Sequence, residues 1–421
     1  MTSDVRQRRL RMPREVWILL GGNFLVAVGF GVVAPVLPVY ARHFGVSISA
    51  TTFLVTVFAL MRLCFAPAAG VVVQRLGERW IYASGLVVVA VSTTLCGFAQ
   101  SYWQLVALRA VGGVGSTMFF LAAMSLIIRA SPADARGRVA GLFATAFLLG
   151  TVGGPVLGSV TVGFGLAAPF LLFGSVLLVA AVVVFVSLRD SLMAAPAHSP
   201  GPTVSVRAAL AFRGYRAALL SHFAIGWAVH GVRFTLVPLF ITEIMHRNPS
   251  AAGMALAMMG IGNVCAVLPS GQLSDRIGRR GPLVIGLAAT GVTTMLFGAS
   301  VSIVLVMVVS FFGGLASGLC GAPQQAVMAD LVGNEVRAGT AVATYQMMGD
   351  LGLIVGSLVV GEIAQRLSFE WGFALSGVVL LVAALGWLLA PETKAYNPIQ
   401  GIDGVMWPGV TDAAGSNLHD R

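Results

Sequence analysis

The sequence reads Gly271-Gln-Leu-Ser-Asp275-Arg276-Ile-Gly278-Arg279-Arg280 between two long apolar runs. Only 10% of the residues in the chain are charged, yet this stretch places four charged side chains within six positions. Charged side chains are costly to bury, so the stretch must lie in water. It therefore predicts a short, tightly turned loop at a membrane surface, whose glycines allow the backbone to approach a neighbouring helix.

A second copy of this stretch occurs about 200 residues earlier, as Gly70-Val-Val-Val-Gln74-Arg75-Leu-Gly77-Glu78-Arg79. Further matches at shifts of 200 to 202 residues are Pro38 with Pro238, Gly112-Gly113 with Gly313-Gly314, and Gly137, Gly150 and Gly154 with Gly339, Gly352 and Gly356. Each half begins and ends on the same side of the membrane, so the halves are parallel repeats. Such repeats typically enclose a substrate path with alternating access.

Composition indicates a membrane protein, because 57% of the 421 residues are hydrophobic. Apolar runs of about 20 residues match a bilayer core about 30 Å thick. The spans are predicted at approximately 16–40, 48–73, 80–98, 102–128, 138–161, 166–188, 215–242, 251–273, 281–298, 301–329, 338–365 and 371–389. The expected fold is all-α, with twelve transmembrane helices in two parallel six-helix repeats around a central cavity.

The expected domains are a basic cytoplasmic tail (1–15), an N-terminal six-helix bundle (16–188), a cytoplasmic linker (189–214), a C-terminal six-helix bundle (215–390) and a cytoplasmic tail (391–421). The last tail has no apolar periodicity, and we expect it to be mobile.

The net charge of +10 reports topology rather than a nucleic-acid partner. Most of the 26 basic residues fall in the two termini, the linker and the two glycine-rich loops. This bias predicts that both termini are cytoplasmic and that the chain is a multi-pass protein of the inner (cytoplasmic) membrane, with the lipid bilayer as its surroundings. The four cysteines are dispersed inside apolar runs and form no metal-ligand spacing.

The residues quoted above resemble the major facilitator superfamily, whose loop between spans two and three has the pattern Gly-x-x-x-Asp-Arg-x-Gly-Arg-Arg. The copy at 271–280 fits this pattern fully, and Arg109-Ala-Val-Gly112-Gly113-Val-Gly115 is similar to the family's motif in span four. The resemblance covers nearly the whole chain. It implies a transporter of small molecules.

Span five contains Gly150-Thr-Val-Gly-Gly154-Pro155-Val-Leu-Gly158-Ser159. Glycines at every fourth position form one flat helix face on which another helix packs closely, and Pro155 permits a bend. The run looks like the signature of the superfamily's proton-driven drug exporters, although Ser159 stands where a second glycine is usual. The resemblance implies export in exchange for protons.

Ionisable groups at membrane depth are costly and mark functional positions. Arg62 in span two and Asp350 in span eleven both lie about 16–18 Å from the cytoplasmic side, at 1.5 Å per residue. Because these two helices face each other in the superfamily, we predict an ion pair between Arg62 and Asp350, direct or bridged by water.

The resemblance implies a role for Arg109 in proton coupling or substrate contact, and His230 is a candidate group that titrates near neutral pH. His222 is interpreted as structural. Asn23 occupies the span in which many exporters of cationic drugs have an acid.

The residues assigned to proton coupling are Asp350, Arg109, His230 and Arg62. Those assigned to the substrate cavity are Asn23, Arg62, Arg109, Arg233, His230, Gln324 and Gln346. Their excess positive charge favours anionic, zwitterionic or neutral substrates over dications.

The leading interpretation is a secondary transporter that exports a small amphiphile in exchange for protons. A proton-coupled symporter that takes up a metabolite or organic anion is the alternative, and a channel or receptor on the same scaffold is disfavoured by the paired loops. The sequence contains no nucleotide-binding loop, metal cluster or nucleophile–base set, so neither an enzyme nor a cofactor is expected. We expect the chain to function as a monomer.

The two glycine-rich loops are expected to act as gates. In the superfamily the acid of the first loop engages the start of span eleven, where this chain has Arg337, but Gln74 cannot form an ion pair there. By pseudo-symmetry, Asp275 should approach the start of span five, where Arg136 lies. The complete set of gating residues is Gly70, Gln74, Arg75, Gly77, Arg79, Gly271, Asp275, Arg276, Gly278, Arg279, Arg280, Arg136 and Arg337.

Replacing the two non-equivalent residues tests this asymmetry. Asp275→Asn should reduce transport more than Gln74→Ala, because only Asp275 provides a charged contact. The measurement is initial transport rate at matched membrane expression. Equal effects of the two substitutions would contradict a latch that depends on the second loop.

Overall fold

The computed structural model of the chain describes residues 14–130, 136–187, 206–332 and 339–394, and within these ranges it is helical and contains no β-strand. Eleven helical stretches in the described part are long and apolar enough to cross a membrane. The helix at the position of span five runs from Arg136 to Thr161, with a shorter apolar stretch at Gly153–Phe164. The expected all-α class is confirmed.

The described residues form two compact units. The first contains residues up to Val46 and from Val57 to Ser187. Its helices are α1 (Arg14–Val33), α2 (Val36–Arg42), the main part of α3 (Ile48–Leu76), α4 (Glu78–Cys96), α5 (Tyr102–Ala130), α6 (Arg136–Thr161) and α7 (Ala168–Ser187).

The second unit contains the start of α3, residues 47–56, and the chain from residue 206 onward. Ser49 at this start donates through its hydroxyl to Glu362 at 2.6 Å. The helices of the unit are α8 (Val206–Leu210), α9 (Arg213–Ile225), α10 (Arg233–Leu239), α11 (Pro249–Ile277), α12 (Arg280–Gly298), α13 (Ile303–Val332), α14 (Gly339–Arg366) and α15 (Phe369–Leu388).

The glycine-rich stretches are shorter turns than the sequence suggests. Helix α11 continues to Ile277, so Asp275 lies in its last turn and the chain reverses at Gly278, whose φ is +104°. Helix α3 likewise continues to Leu76 and is followed by Gly77 at φ +84°. A left-handed backbone is costly for any residue with a Cβ, which explains a glycine at each turn. The expected ten-residue loop is therefore mostly helix.

The glycine face of α6 packs directly on the backbone of α1. A Cβ at Gly150 would lie 2.7 Å from the Phe24 carbonyl oxygen, and one at Gly154 would lie 2.4 Å from that of Val28. The second unit repeats this contact, because a Cβ at Gly352 of α14 would lie 2.1 Å from the Phe223 carbonyl oxygen in α9. Small residues allow helices in lipid to approach closely enough for extensive van der Waals contact.

A second crossing also recurs in both units. A Cβ at Gly113 in α5 would lie 2.5 Å from the Phe58 carbonyl oxygen in α3. In the second unit, a Cβ at Gly314 in α13 would lie 1.9 Å from the Met259 carbonyl oxygen in α11. The repeats detected in the sequence therefore share internal helix contacts as well as glycine positions.

Span seven is interrupted by two π-helical segments, at Gly226–Val232 and Phe240–Ile244. The first joins α9 to α10, and the second follows α10. Segments of this kind are rare and frequently mark functional sites in helices. Nothing in the apolar pattern of span seven indicates them.

Adjacent glycines in α6 provide a matched test of the backbone contact. Gly154→Ala should destabilise the protein by about 1–3 kcal/mol, the usual cost of overpacking. Gly153→Ala should be neutral or stabilising, because a Cβ at Gly153 meets nothing within 4 Å and alanine favours helix by about 1 kcal/mol over glycine. Thermal unfolding of the purified variants measures both, and equal melting temperatures would contradict the packing.

Candidate functional site

Arg109 of α5 is buried in the first unit. Its guanidinium lies over the Phe58 ring, 4.3 Å from the centroid, and its side chain is 9% exposed. Such a cation–π contact partly replaces the hydration that burial removes. Among the described residues no carboxylate pairs with Arg109, and its Nε has no hydrogen-bond partner. The positive charge therefore lies inside the helix bundle without a described counter-ion.

Arg233 is the corresponding buried cation of the second unit, although it comes from span seven rather than span ten. Its guanidinium donates to the Gly313 carbonyl oxygen at 3.0 Å and to the Ser317 hydroxyl at 3.1 Å. Asn263 of α11 also donates to that hydroxyl, at 3.3 Å. Arg233 is 3% exposed, so its hydrogen bonds tie α10 to α13 inside the unit. The Nε of Arg233 and the Oδ1 of Asn263 lack hydrogen-bond partners.

A second polar cluster of this unit surrounds His222 in α9. The imidazole stacks on the Tyr345 ring, with centroids 4.0 Å apart and an interplanar angle of 22°. Gln324 is buried and donates to the Ser221 hydroxyl at 3.3 Å. Of the residues expected to line a cavity, the structure thus brings Gln324 and Gln346 to the neighbourhood of His222.

The remaining expected residues are dispersed over the two units. Asn23 is buried in α1, whereas the side chains of His230 and Gln346 are exposed in the second unit. Arg62 and Asp350 are both partly exposed. They lie in different units, so their pairing stays a prediction.

The chain reversal at residues 275–280, here named the Gly278 turn, is held by charge. Arg279 forms ion pairs with Asp275 and, at 3.1 Å, with Asp330 at the end of α13. Burial lowers the pKa of Arg279, but the hydrogen bonds to the two carboxylates raise it more, and the net change is upward. Asp275 therefore has a partner within its own turn.

Residues 391–394, which follow the last helix, dock on the Gly278 turn, and the rest of the tail that we expect to be mobile lies outside the described residues. The Glu392 carboxylate accepts hydrogen bonds from the backbone N–H groups of Arg279, at 2.8 Å, and Arg280, at 3.1 Å. Lys394 donates to the Arg276 carbonyl oxygen at 3.0 Å. These first backbone N–H groups of α12 lack helical partners, and a carboxylate satisfies them.

Several gating residues lie outside the described part of the molecule. Arg337 is not described at all, and for Gly70, Gln74, Arg75 and Arg136 only the helical backbone is described. Arg79 is described, and it donates to the Phe185 carbonyl oxygen at 2.8 Å while lying over the Phe185 ring. The expected contacts of Gln74 with Arg337 and of Asp275 with Arg136 stay predictions.

Sequence reasoning did not identify Glu392, Asn263 or Tyr345 as parts of these clusters. An acidic residue directly after the last span, on the side rich in basic loops, is a signal that would have indicated Glu392. No comparable signal exists for Tyr345, because its partner depends on how α14 crosses α9.

The family model described as Major Facilitator Superfamily matches residues 19–246 and 218–405 of the chain. The chain belongs to this superfamily. The glycine-rich turns and the paired helical units are therefore parts of a multi-pass membrane transporter, and the family and fold are those of transporters rather than enzymes.

Two curated proteins are similar to the chain. Tetracycline resistance protein, class G, from Vibrio anguillarum is 27% identical over 401 residues, which cover 90% of this chain and 96% of that protein. Quinolone resistance protein NorA from Staphylococcus aureus is 27% identical over 179 residues, or 42% of this chain. That match spans about half, 46%, of the length of NorA.

The fold is also found in crystal structures of a bacterial homolog to the human lysosomal transporter Spinster, in inward-facing conformations. The unoccupied form has a TM-score of 0.73 at 15% identity and covers 89% of this chain and 96% of that one. The occupied form has a TM-score of 0.75 at 16% identity, with 91% and 98% covered. At this identity the likeness establishes the major facilitator fold alone.

Glu392 gives a pH-dependent test of the docked segment. Burial raises the pKa of this carboxyl, but the four backbone hydrogen bonds lower it more, and the net pKa lies below the ordinary 4.5. A lowered pKa contributes stability above pH 4.5 that is lost as the pH falls through the folded value. Glu392→Gln should therefore lower the melting temperature at pH 7 and flatten its decline below about pH 4.5.

The control is Glu370→Gln, because Glu370 is exposed at the start of α15 and its described hydrogen bond is to the Ser368 hydroxyl. It should leave the melting temperature at pH 7 unchanged. The same pH profile in the Glu392 variant and the parent protein would show that the docked carboxylate does not stabilise the turn.

Proposed function

We propose that the protein is a secondary active transporter that exports a small amphiphilic compound across the cytoplasmic membrane in exchange for protons. Two six-helix bundles, 16–188 and 215–390, alternate the access of a central site between the two sides of the membrane. Both chain termini are cytoplasmic in this proposal, and one copy of the chain suffices for transport.

The observation that carries the proposal is the packing of α6 on α1. Gly150 and Gly154 bring the two helices into backbone contact, and Pro155 follows within the same helix. This is the stretch that resembles the signature of proton-driven exporters. The similarity to a tetracycline resistance protein over nearly the full length of both chains supports the same direction of transport.

The buried guanidinium groups define the preferred substrate class. Arg109 and Arg233 each lie inside a helix bundle without a paired carboxylate among the described residues. Uncompensated positive charge repels dications and attracts anions or the negative ends of zwitterions. Proton-coupled uptake of an organic anion is the second candidate function, because the same two groups would favour it.

Asp350 is the proposed proton-coupling carboxylate, assisted by Arg62, Arg109 and His230. A carboxylate at membrane depth can be protonated and neutral in one conformation of the transporter and charged in the other. Binding and release of its proton are then linked to the conformational change. Asp350 lies in α14, and its side chain is partly exposed.

Inverted membrane vesicles with an imposed pH gradient test the proposal. Tetracycline, a fluoroquinolone and a dicationic dye serve as probes, and an acidic interior should drive accumulation of the first two more than of the dye. Asp350→Asn should reduce the gradient-driven rate by about 5- to 150-fold, the range of typical coupling free energies. Glu370→Gln, an exposed acidic position in the same unit, should retain the rate of the parent protein.

The outcomes separate the two candidate functions. Accumulation driven by an acidic interior supports exchange with protons, whereas acceleration by the opposite gradient supports symport. Transport rates that do not depend on the pH gradient for any probe would reject both candidate functions. Strong selectivity for the dicationic dye would reject the assigned substrate class.

A further inference from the structure

The side chain of His222 lies in a cluster of close contacts and buried polar atoms that helix packing alone does not explain. Its ring lies between α9 and α14, stacked on Tyr345 on one side. Gly349, one turn further along α14, also contacts the ring, because a Cβ there would lie 2.6 Å from the imidazole Nε2. The position is nine residues into span seven, or about 14 Å from its start at 1.5 Å per residue. Any larger residue at position 349 would therefore force the His222 ring to shift.

Two polar atoms of this cluster are buried without a hydrogen-bond partner, namely the Nδ1 of His222 and the hydroxyl of Tyr345. Leaving buried polar atoms unpaired is unfavourable, and native proteins keep few of them outside functional sites. The neutral amides of Gln324 and Gln346 also face the ring. The imidazole therefore has a vacant nitrogen and nearby amides that can accept a hydrogen bond from a protonated ring.

We propose that His222 binds and releases the proton that is exchanged for substrate, an inference that rests on the proposed proton-coupled export. In the binding step, an imidazole nitrogen lone pair takes a proton from hydronium and leaves water. In the release step, the N–H bond breaks, its electron pair stays on nitrogen, and a water on the other side accepts the proton. The Gln324 and Gln346 amide oxygens stabilise the imidazolium between these steps.

The groups that face His222 are few. His230 in the following π segment is the charged or titratable neighbour on the same span, and Tyr345 faces the ring from α14. Helix α13 contributes the uncharged Gln324, and helix α15 has no ionisable residue between Gly372 and Leu388. Asp350 follows Gly349 directly in α14, so His222 and Asp350 lie at the same turn of that helix.

Protonation of His222 would add a charge beside a close contact between span seven and α14. A Cβ at Gly226 would lie 2.1 Å from the Gly349 carbonyl oxygen, so the backbones of span seven and α14 touch beside the ring. Adding a charge and a second N–H donor to His222 changes the most favourable separation of the two helices. The first π-helical segment begins at Gly226, immediately after α9, and can absorb the movement.

Reconstituted full-length protein separates proton coupling from a structural role. With tetracycline and a fluoroquinolone as probes, His222→Gln should lose the stimulation by a pH gradient, at least about tenfold, yet retain gradient-free counterflow. His43→Gln, at an exposed histidine of the first unit, should retain both activities. Tyr345→Phe keeps the stacked ring and should also retain the gradient response.

A measurement on the ring itself decides the question even if His222→Gln does not fold. The other five of the six histidines are replaced, and the remaining imidazole is observed by nitrogen NMR in lipid nanodiscs. We expect a protonated signal that is absent at about pH 8 and grows as the pH is lowered to about 4.

A ring that stays neutral at both values, or a His222→Gln variant with an undiminished gradient response, overturns the proposal. If the parent protein ignores the gradient for both probes, the proposed function fails. The ring titration then decides alone whether His222 is a proton-binding site.

Discussion

Backbone contact between helices is the constraint on which the rest of this structure depends. In lipid, helices gain little from burying apolar surface, and their association relies on close packing and hydrogen bonds. Gly154 against Val28 and Gly314 against Met259 bring main chains together where any side chain would separate them. The polar groups of each unit lie beside such contacts. Their positions are therefore fixed by glycines rather than by salt bridges.

Buried charge is distributed unevenly in relation to these contacts. Among the described residues, each unit encloses one buried arginine, which an aromatic face stabilises in one case and a carbonyl and a hydroxyl in the other. Apart from Asp350 in the middle of α14, described carboxylates such as Asp275 and Asp330 lie near helix ends. The two buried arginines thus lie inside the units, whereas these helix-end carboxylates fix a turn.

The sequence was sufficient for the class of fold, the approximate spans and the repeat, because hydrophobicity and glycine spacing are local properties. It also located the turns, since only glycine tolerates the backbone found at Gly77 and Gly278. The docking of Glu392 and the stacking of His222 on Tyr345 could not be predicted from the sequence. Both depend on segments more than 100 residues apart, whose relative placement no periodicity encodes. The π-helical segments were missed because a widened turn leaves the apolar pattern of a buried helix unchanged.

The two π-helical segments of span seven explain why the offset between equivalent residues of the two halves increases along the chain. The contact atoms of Phe24 and Phe223 are equivalent at an offset of 199 residues, Pro38 and Pro238 at 200, and Phe58 and Met259 at 201. A π turn holds one residue more than an α turn. Each segment thus accommodates a single inserted residue within a membrane helix, without moving it to a loop. Span seven has acquired length and a different set of facing side chains, Arg233 among them, while the crossings on either side have kept the geometry of the first half.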